Sequence, residues 1–243
     1  MGCREIGAPE GTQLVSSSLV PAQHAHMEFD IRTVADAIRS VNILNLESEY
    51  NRTVMRDFEA FAHRYYAARA PAITFRPSLS QFNFIRALWA NVEVLGLSSS
   101  QMSDDDAPSP FNVPSSRRAE PSAALELRLP AGLRPTNLQR ATLHHPWIDL
   151  LPIPEMRDNM FRRGFDSFDE EELCHDMRGR VHQDPGVLVW GDPWDPSSWE
   201  VTESFVRSWG WAVVGCWGLF CSTNKWRAQR GEKPLFRIPS VRE

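Results

Sequence analysis

Apolar residues recur every three or four positions in three stretches of the first hundred residues, the spacing of a single helix face. Ile31, Val34, Ala35, Ile38 and Val41 form the first stripe. Val54, Phe58, Phe61 and Tyr65 form the second, and this helix is expected to stop before Pro71, because the residue ahead of a proline avoids the α region. Ile85, Leu88, Trp89, Val92 and Leu95 form the third, predicting a helix from about Ser80 to Leu95 that Gly96 ends. The pattern is then lost. Residues 98–123, "SSSQMSDDDAPSPFNVPSSRRAEPSA", are rich in Ser, Pro and Asp and read as a linker, with Phe111 as the bulky residue able to dock back.

Periodicity returns in shorter pieces. Pro154 suits the first turn of a helix, and Met156 and Met160 share a face. Ser167 and Glu170 have capping-box spacing ahead of a helix that turns Leu173 and Met177 inward and ends at Gly179. The run Val187–Trp190 is apolar but too short to decide between a strand and an extended core segment. Ser197 and Glu200 again have capping-box spacing, predicting a helix with Val201, Phe205, Val206 and Trp209 inward and Gly210 at its end. A last helix is expected from about Gly218 to Gln229. The fold class is therefore mainly α, an irregular helical domain with a Trp/Pro-rich loop region and at most one short extended segment. Along the chain this gives a tail over 1–27, a helical region over 28–97, the linker over 98–123, a Trp-rich helical domain over 124–232 and a basic tail over 233–243.

Composition narrows the classes. A net charge of −5 and a pI near 5.8 argue against a dominant nucleic-acid surface. The four cysteines are sparse and unevenly spaced, which favours reduced thiols over a disulfide scaffold. The N-terminal sequence lacks an apolar signal region, and in the "MGC" start Ile6 stands where an acylation motif carries Ser or Thr. The uncharged run from Ser208 to Asn224 is shorter than the ~20 apolar residues a membrane span requires, so no membrane association is expected.

Candidate chemistry is limited. Short nucleotide-binding, Ser-nucleophile and zinc-protease motifs are absent. Cys174, His175, His182, Cys216 and Cys221 do not follow a zinc spacing, so neither metal nor cofactor is expected. His144 or His145 paired with Asp149, Asp192 or Asp195 in a Trp-lined pocket would make an acid–base site, and this is the enzymatic alternative. The other reading of the same residues is structural: Asp192 and Asp195 precede prolines, where Asp starts turns and caps helices.

Tryptophan is the unusual component. Five of the nine tryptophans fall between Leu188 and Trp211. Such rings either close a core over tight turns or line a groove. Candidate ligand or partner contacts are Trp147, Asp149, Arg157, Asp158, Trp190, Asp192, Trp194, Asp195 and Trp199. Lys225, Arg227, Arg230 and Lys233 are candidate contacts for nucleic acid or an acidic partner.

Three blocks carry a resemblance: "LWANVEVLGL…DDDAPSPFN", "LRPTNLQRATLHHPWIDLLPIPEMRDN" and "VLVWGDPWDPSSWEVTESFVRSWGW…STNKWRAQRGE". Together, over Gln81 to Glu232, they resemble the domain of unknown function that follows the basic leucine zipper in transcription factors of filamentous fungi. The resemblance implies a fungal, nuclear, regulatory setting, with the cytoplasm as second choice, and a connection to secondary-metabolite gene clusters. No basic region or leucine heptads precede the blocks in this sequence. DNA contact is therefore expected through a partner, a basic leucine zipper protein or a coactivator, rather than directly.

Overall fold

The computed structural model describes residues 31–67, 76–112, 126–180 and 185–238. Among these the chain is mainly helical, with one two-stranded antiparallel sheet. The expected tail over 1–27 lies outside the described residues, as do 113–123 of the expected linker and 239–243 of the basic tail.

The three N-terminal stripes each become a helix. Helix α1 (Ile31–Ser40) buries Val34 and Ile38, and α2 (Glu49–Ala67) buries Met55, Phe58 and Ala62. Phe58 stacks on Phe82 of α3 (Arg76–Leu95), with ring centroids 4.7 Å apart. Helix α3 begins four residues ahead of the expected Ser80, because Pro77 fits a first turn whose N–H has no intrahelical acceptor. It buries Phe82, Phe84, Ile85, Ala87, Leu88, Asn91 and Val92, more than one face, as befits a helix packed on several sides. Its end is a Schellman turn: Gly96 takes φ +66°, its N–H reaches Glu93 O, and Leu97 N–H reaches Val92 O.

Residues 98–112, the first part of the Ser/Pro/Asp-rich stretch, are built into the fold. Ser98 and Gln101 close a capping box on α4 (Ser99–Ser103). Met102, Ala107 and Phe111 are buried, and Ser109 N–H donates to His144 O at 2.9 Å. Sparse apolar residues suffice here because each meets a surface already formed.

In the second half, α5 (Asn137–Ala141) is followed by a 3-10 turn over Pro146–Leu150, and α6 (Pro154–Arg163) turns Met156, Met160 and Phe161 inward. Helix α7 (Glu170–Arg178) buries Leu173 and Met177. Its cap differs from the expected Ser167: Asp169 accepts from Glu172 N–H at 2.9 Å, while Ser167 belongs to a preceding 3-10 turn. The apolar run near Val187 is strand β1 (Val187–Val189), paired with β2 (Trp199–Val201) in the register Val187–Val201, Leu188–Glu200 and Val189–Trp199. The helix expected to begin near Ser197 is thereby corrected. Asp195 caps a 3-10 turn over Pro196–Ser198, the chain then runs as β2, and Thr202 caps α8 (Glu203–Trp209). Helix α9 (Trp217–Gln229) completes the described elements.

Both halves share one buried cluster running from Val34 to Leu219. The tryptophans divide between core and surface. Trp199 is fully buried, with its edge against Phe84, and Trp147 and Trp209 are buried. Trp190 and Trp217 are 42% and 53% exposed. The buried indoles have acceptors: Trp199 donates to Pro193 O, Trp209 to Asp176 and Trp147 to Glu170.

Candidate functional site

The residues singled out from the sequence separate into a sealed polar hub and an exposed aromatic face. The hub is assembled by α5, the turn at Pro146 and α6. Asp149, with no exposure, accepts from Ser109 Oγ at 2.7 Å and from Gln139 Nε2, and its Oδ1 lies 2.8 Å from His144 Nε2. His144 Nδ1 lies 2.7 Å from Thr142 O. Arg157, also unexposed, donates from Nε to Gln139 Oε1 at 3.0 Å. Its two terminal nitrogens reach the carbonyls of Gly132, Leu151 and Arg134. Burial pushes the guanidinium down to about 10, with Asp149 the main opposing charge, so Arg157 remains a cation at neutral pH. Asp158 accepts from Thr136 Oγ1 and from Arg162 on the surface of α6.

Gln139 is the joint of this network. It is the third residue of α5, so its side chain returns to Thr136 N–H in a capping box while also touching Asp149 and Arg157. Gly132 must lack a side chain: a Cβ there would lie 2.5 Å from Trp194 O and 2.7 Å from Pro152 O. His144 and Asp149 thus do meet, as an acid–base pair would. Both side chains have zero exposure, so the pair works as internal hydrogen bonding.

The exposed face is formed by β2, the turn before it and α9. Trp190 and Trp226 stack with centroids 5.6 Å apart. Arg230 lies over Trp190 at 5.1 Å, and Lys225 over Trp226 at 5.3 Å. Beneath them Glu200, 1% exposed, accepts from Trp190 Nε1 at 2.8 Å and from both terminal nitrogens of Arg230 at 2.9 and 2.6 Å. The hydrogen bond to Glu200, with a further one to Glu232, raises the Arg230 pKa, and the hydrogen bond from Arg230 lowers that of the Glu232 carboxyl.

Of the four basic candidates, Arg230 is therefore held by Glu200 and Glu232, and Arg227 by Glu232 and Lys233 O. Lys225 and Lys233 are exposed and form no ion pair among the described residues. Asp195 is exposed and caps the turn before β2, and Asp192 is exposed with its carbonyl accepting from Asp195 N–H. Trp194 is half-buried, and its carbonyl abuts Gly132.

The structure adds Ser109, Thr136, Gln139 and Glu200 to the residues picked from the sequence. The Thr136–Gln139 box had a readable signal in "PTNLQ"; the others pair across distances no local pattern encodes. Cys174, Cys216 and Cys221 are free thiols, and no group able to hold a metal ion occurs among the described residues. None of the described helices is long and apolar enough to cross a membrane.

Residues 114–219 match the model of a family described as Domain of unknown function (DUF3425). That span contains the second of the three sequence blocks and most of the third. No curated protein and no solved structure matches the chain.

Proposed function

We propose that this chain is a transcription-regulator-type protein of a filamentous fungus that acts in the nucleus by binding a protein partner, not by catalysis. The three sequence blocks support the regulatory setting, and with it a role in controlling a secondary-metabolite gene cluster. The observation that carries the binding mode is the exposed Trp190 ring stacked on the half-buried Trp226, with Lys225 beside them. Aromatic rings locked by stacking and by Glu200 contribute contact area at little entropic cost, which is what an interface anchor requires. With Lys225 and Lys233 around it in no ion pair among the described residues, the face suits an acidic segment carrying apolar side chains. A basic leucine zipper protein or a coactivator is the partner class we assign.

The acid–base alternative rests on His144 and Asp149, whose side chains are both sealed from solvent. The deciding experiment is capture from fungal nuclear extract on the wild-type chain and on Trp190→Ala, after circular dichroism shows that both are folded. The expected result is a zipper protein or coactivator retained by the wild type and lost from the variant. Equal capture by both, or exclusion of the tagged protein from nuclei, overturns the reading.

A further inference from the structure

A cavity of about 530 Å³ lies between the α1–α2 connection, the turn at His145 and helix α7. That volume falls within the usual range for small-molecule sites. Its apolar wall comes from Val41, Ile43, Leu44 and Trp147. It shares no residue with the Trp190–Trp226 face, so the two are distinct places on the molecule.

Two polar groups of the wall lack partners. Arg178 donates from one terminal nitrogen to Val41 O at 2.9 Å, tying α7 to the connection, but its Nε is buried without an acceptor. Arg178 forms no ion pair among the described residues. Burial lowers its pKa, against a smaller opposing influence of Cys174. On the other wall, His145 Nδ1 accepts from Trp147 N–H at 3.2 Å. The proton of the neutral ring is therefore on Nε2, which is also buried and has no well-aligned acceptor, the Asp104 backbone being a weaker influence than burial. Burial lowers the His145 pKa and keeps the ring neutral, against smaller influences from the Asp104 backbone and the carboxylates of Glu170, Asp105 and Asp149.

Both orphans are donors. The acids of the wall do not serve them: Glu170 is engaged by Trp147 Nε1 at 2.8 Å, Glu171 is 83% exposed beside His175, and Asp105 is exposed. A half-buried cation with no counter-ion among the described residues, and buried N–H groups without a well-aligned acceptor, are each unfavourable arrangements that an incoming oxygen relieves. Burial pushes the Cys174 thiol up to about 11, so at neutral pH it is an apolar wall atom and not a nucleophile.

We propose that this cavity is a binding site for a small amphipathic carboxylate, whose oxygens supply the acceptors that Arg178 and His145 lack and whose apolar body lies against Val41, Ile43, Leu44 and Trp147. The site would give the protein a metabolite input separate from its partner surface. The test uses the full chain alone, with octanoate and benzoate as the carboxylates, and octanol, benzylamine and inorganic phosphate as controls, in calorimetric titration and thermal melts. The expected result is binding of one carboxylate tighter than about 1 mM, a rise in Tm, and no comparable effect of the controls. Arg178→Gln is expected to bind roughly tenfold more weakly, as for loss of one charge-assisted hydrogen bond. Leu44→Trp, which fills the cavity and keeps Arg178, is expected to abolish binding and decides the matter should Arg178→Gln fail to fold. Absence of carboxylate binding to the wild type, equal binding of octanol or phosphate, or wild-type affinity in Leu44→Trp overturns the site.

Discussion

Asp149 and Arg157 show how a fully buried charge is made tolerable. Neither relies on a direct ion pair; each is surrounded by dipoles. Asp149 meets a hydroxyl, an amide and an imidazole, and Arg157 meets three backbone carbonyls and the Gln139 amide oxygen. The carbonyls come from Gly132, Arg134 and Leu151, so the guanidinium pins two irregular segments that form few hydrogen bonds of their own. Removing one member leaves the others desolvated and unpaired. Asp149→Ala is therefore expected to destabilise the protein by on the order of 3–5 kcal/mol, whereas Asp192→Ala at an exposed turn is expected to stay within about 0.5 kcal/mol of wild type. Urea unfolding of both variants measures the difference, and equal losses would remove Asp149 from its central place. The sequence marked Asp149 and Arg157 as special and offered His144 as a partner of Asp149, but it did not point to Ser109 or Gln139. Ser109 comes from a stretch that reads as linker, and nothing local says that its hydroxyl will meet a carboxylate forty residues on.

Elements were legible where one face repeats over several turns, and less so where competing local signals are two residues apart. The stripes of α1, α2 and α3 are long, and their existence follows from spacing alone. At the start of α7 the spacing pointed to Ser167 with Glu170, whereas the cap is Asp169, two residues on. Ser167 is instead consumed by the preceding turn, its hydroxyl donating to Arg163 O at 2.9 Å and Gly164 O at 2.7 Å. Phe168 is extended, so the helix begins only after it, with Asp169 as cap and Glu170 as first residue. Ser197 and Glu200 likewise have the right spacing but stand at the entry to a strand. There Glu200 is needed by Trp190 and Arg230, and Trp199 and Val201 are buried on the sheet. Tertiary demand overrode a local signal worth only about 1 kcal/mol. The cap assignment is testable at that scale. Asp169→Ala is expected to cost about 1 kcal/mol and Ser167→Ala clearly less, compared by thermal unfolding under identical conditions; the reverse order would restore the Ser167 cap.

The two helical regions that the sequence separates at residues 98–123 are joined by a common interior, and that has a consequence for how the molecule unfolds. Helix α3 is the element most enclosed by others. It touches α1 and α2 on the N-terminal side and β1, α7 and the turn at Pro146 on the C-terminal side. Asn91 in its last turns donates to Leu150 O at 2.8 Å and Pro193 O at 3.1 Å, closing two carbonyls of the second half, and Phe84 packs its ring against Trp199. Neither half can lose α3 without exposing these groups, because both count the same side chains as core. The full chain is thus expected to unfold in one transition, with indole fluorescence (dominated by the C-terminal tryptophans) and helical circular dichroism giving one midpoint. Asn91→Ala, which removes this donor from Leu150 O and leaves Pro193 O with Trp199 Nε1, is expected to lower that shared midpoint by an amount corresponding to about 1–3 kcal/mol without splitting it. A fragment of residues 124–232, lacking α3, is expected to show no cooperative transition and to bind an apolar dye, since the walls that Phe84, Ile85 and Leu88 cover would face water. Two separated midpoints in the full chain, or a cooperative melt of that fragment, would mean that the interior is divided at the linker after all.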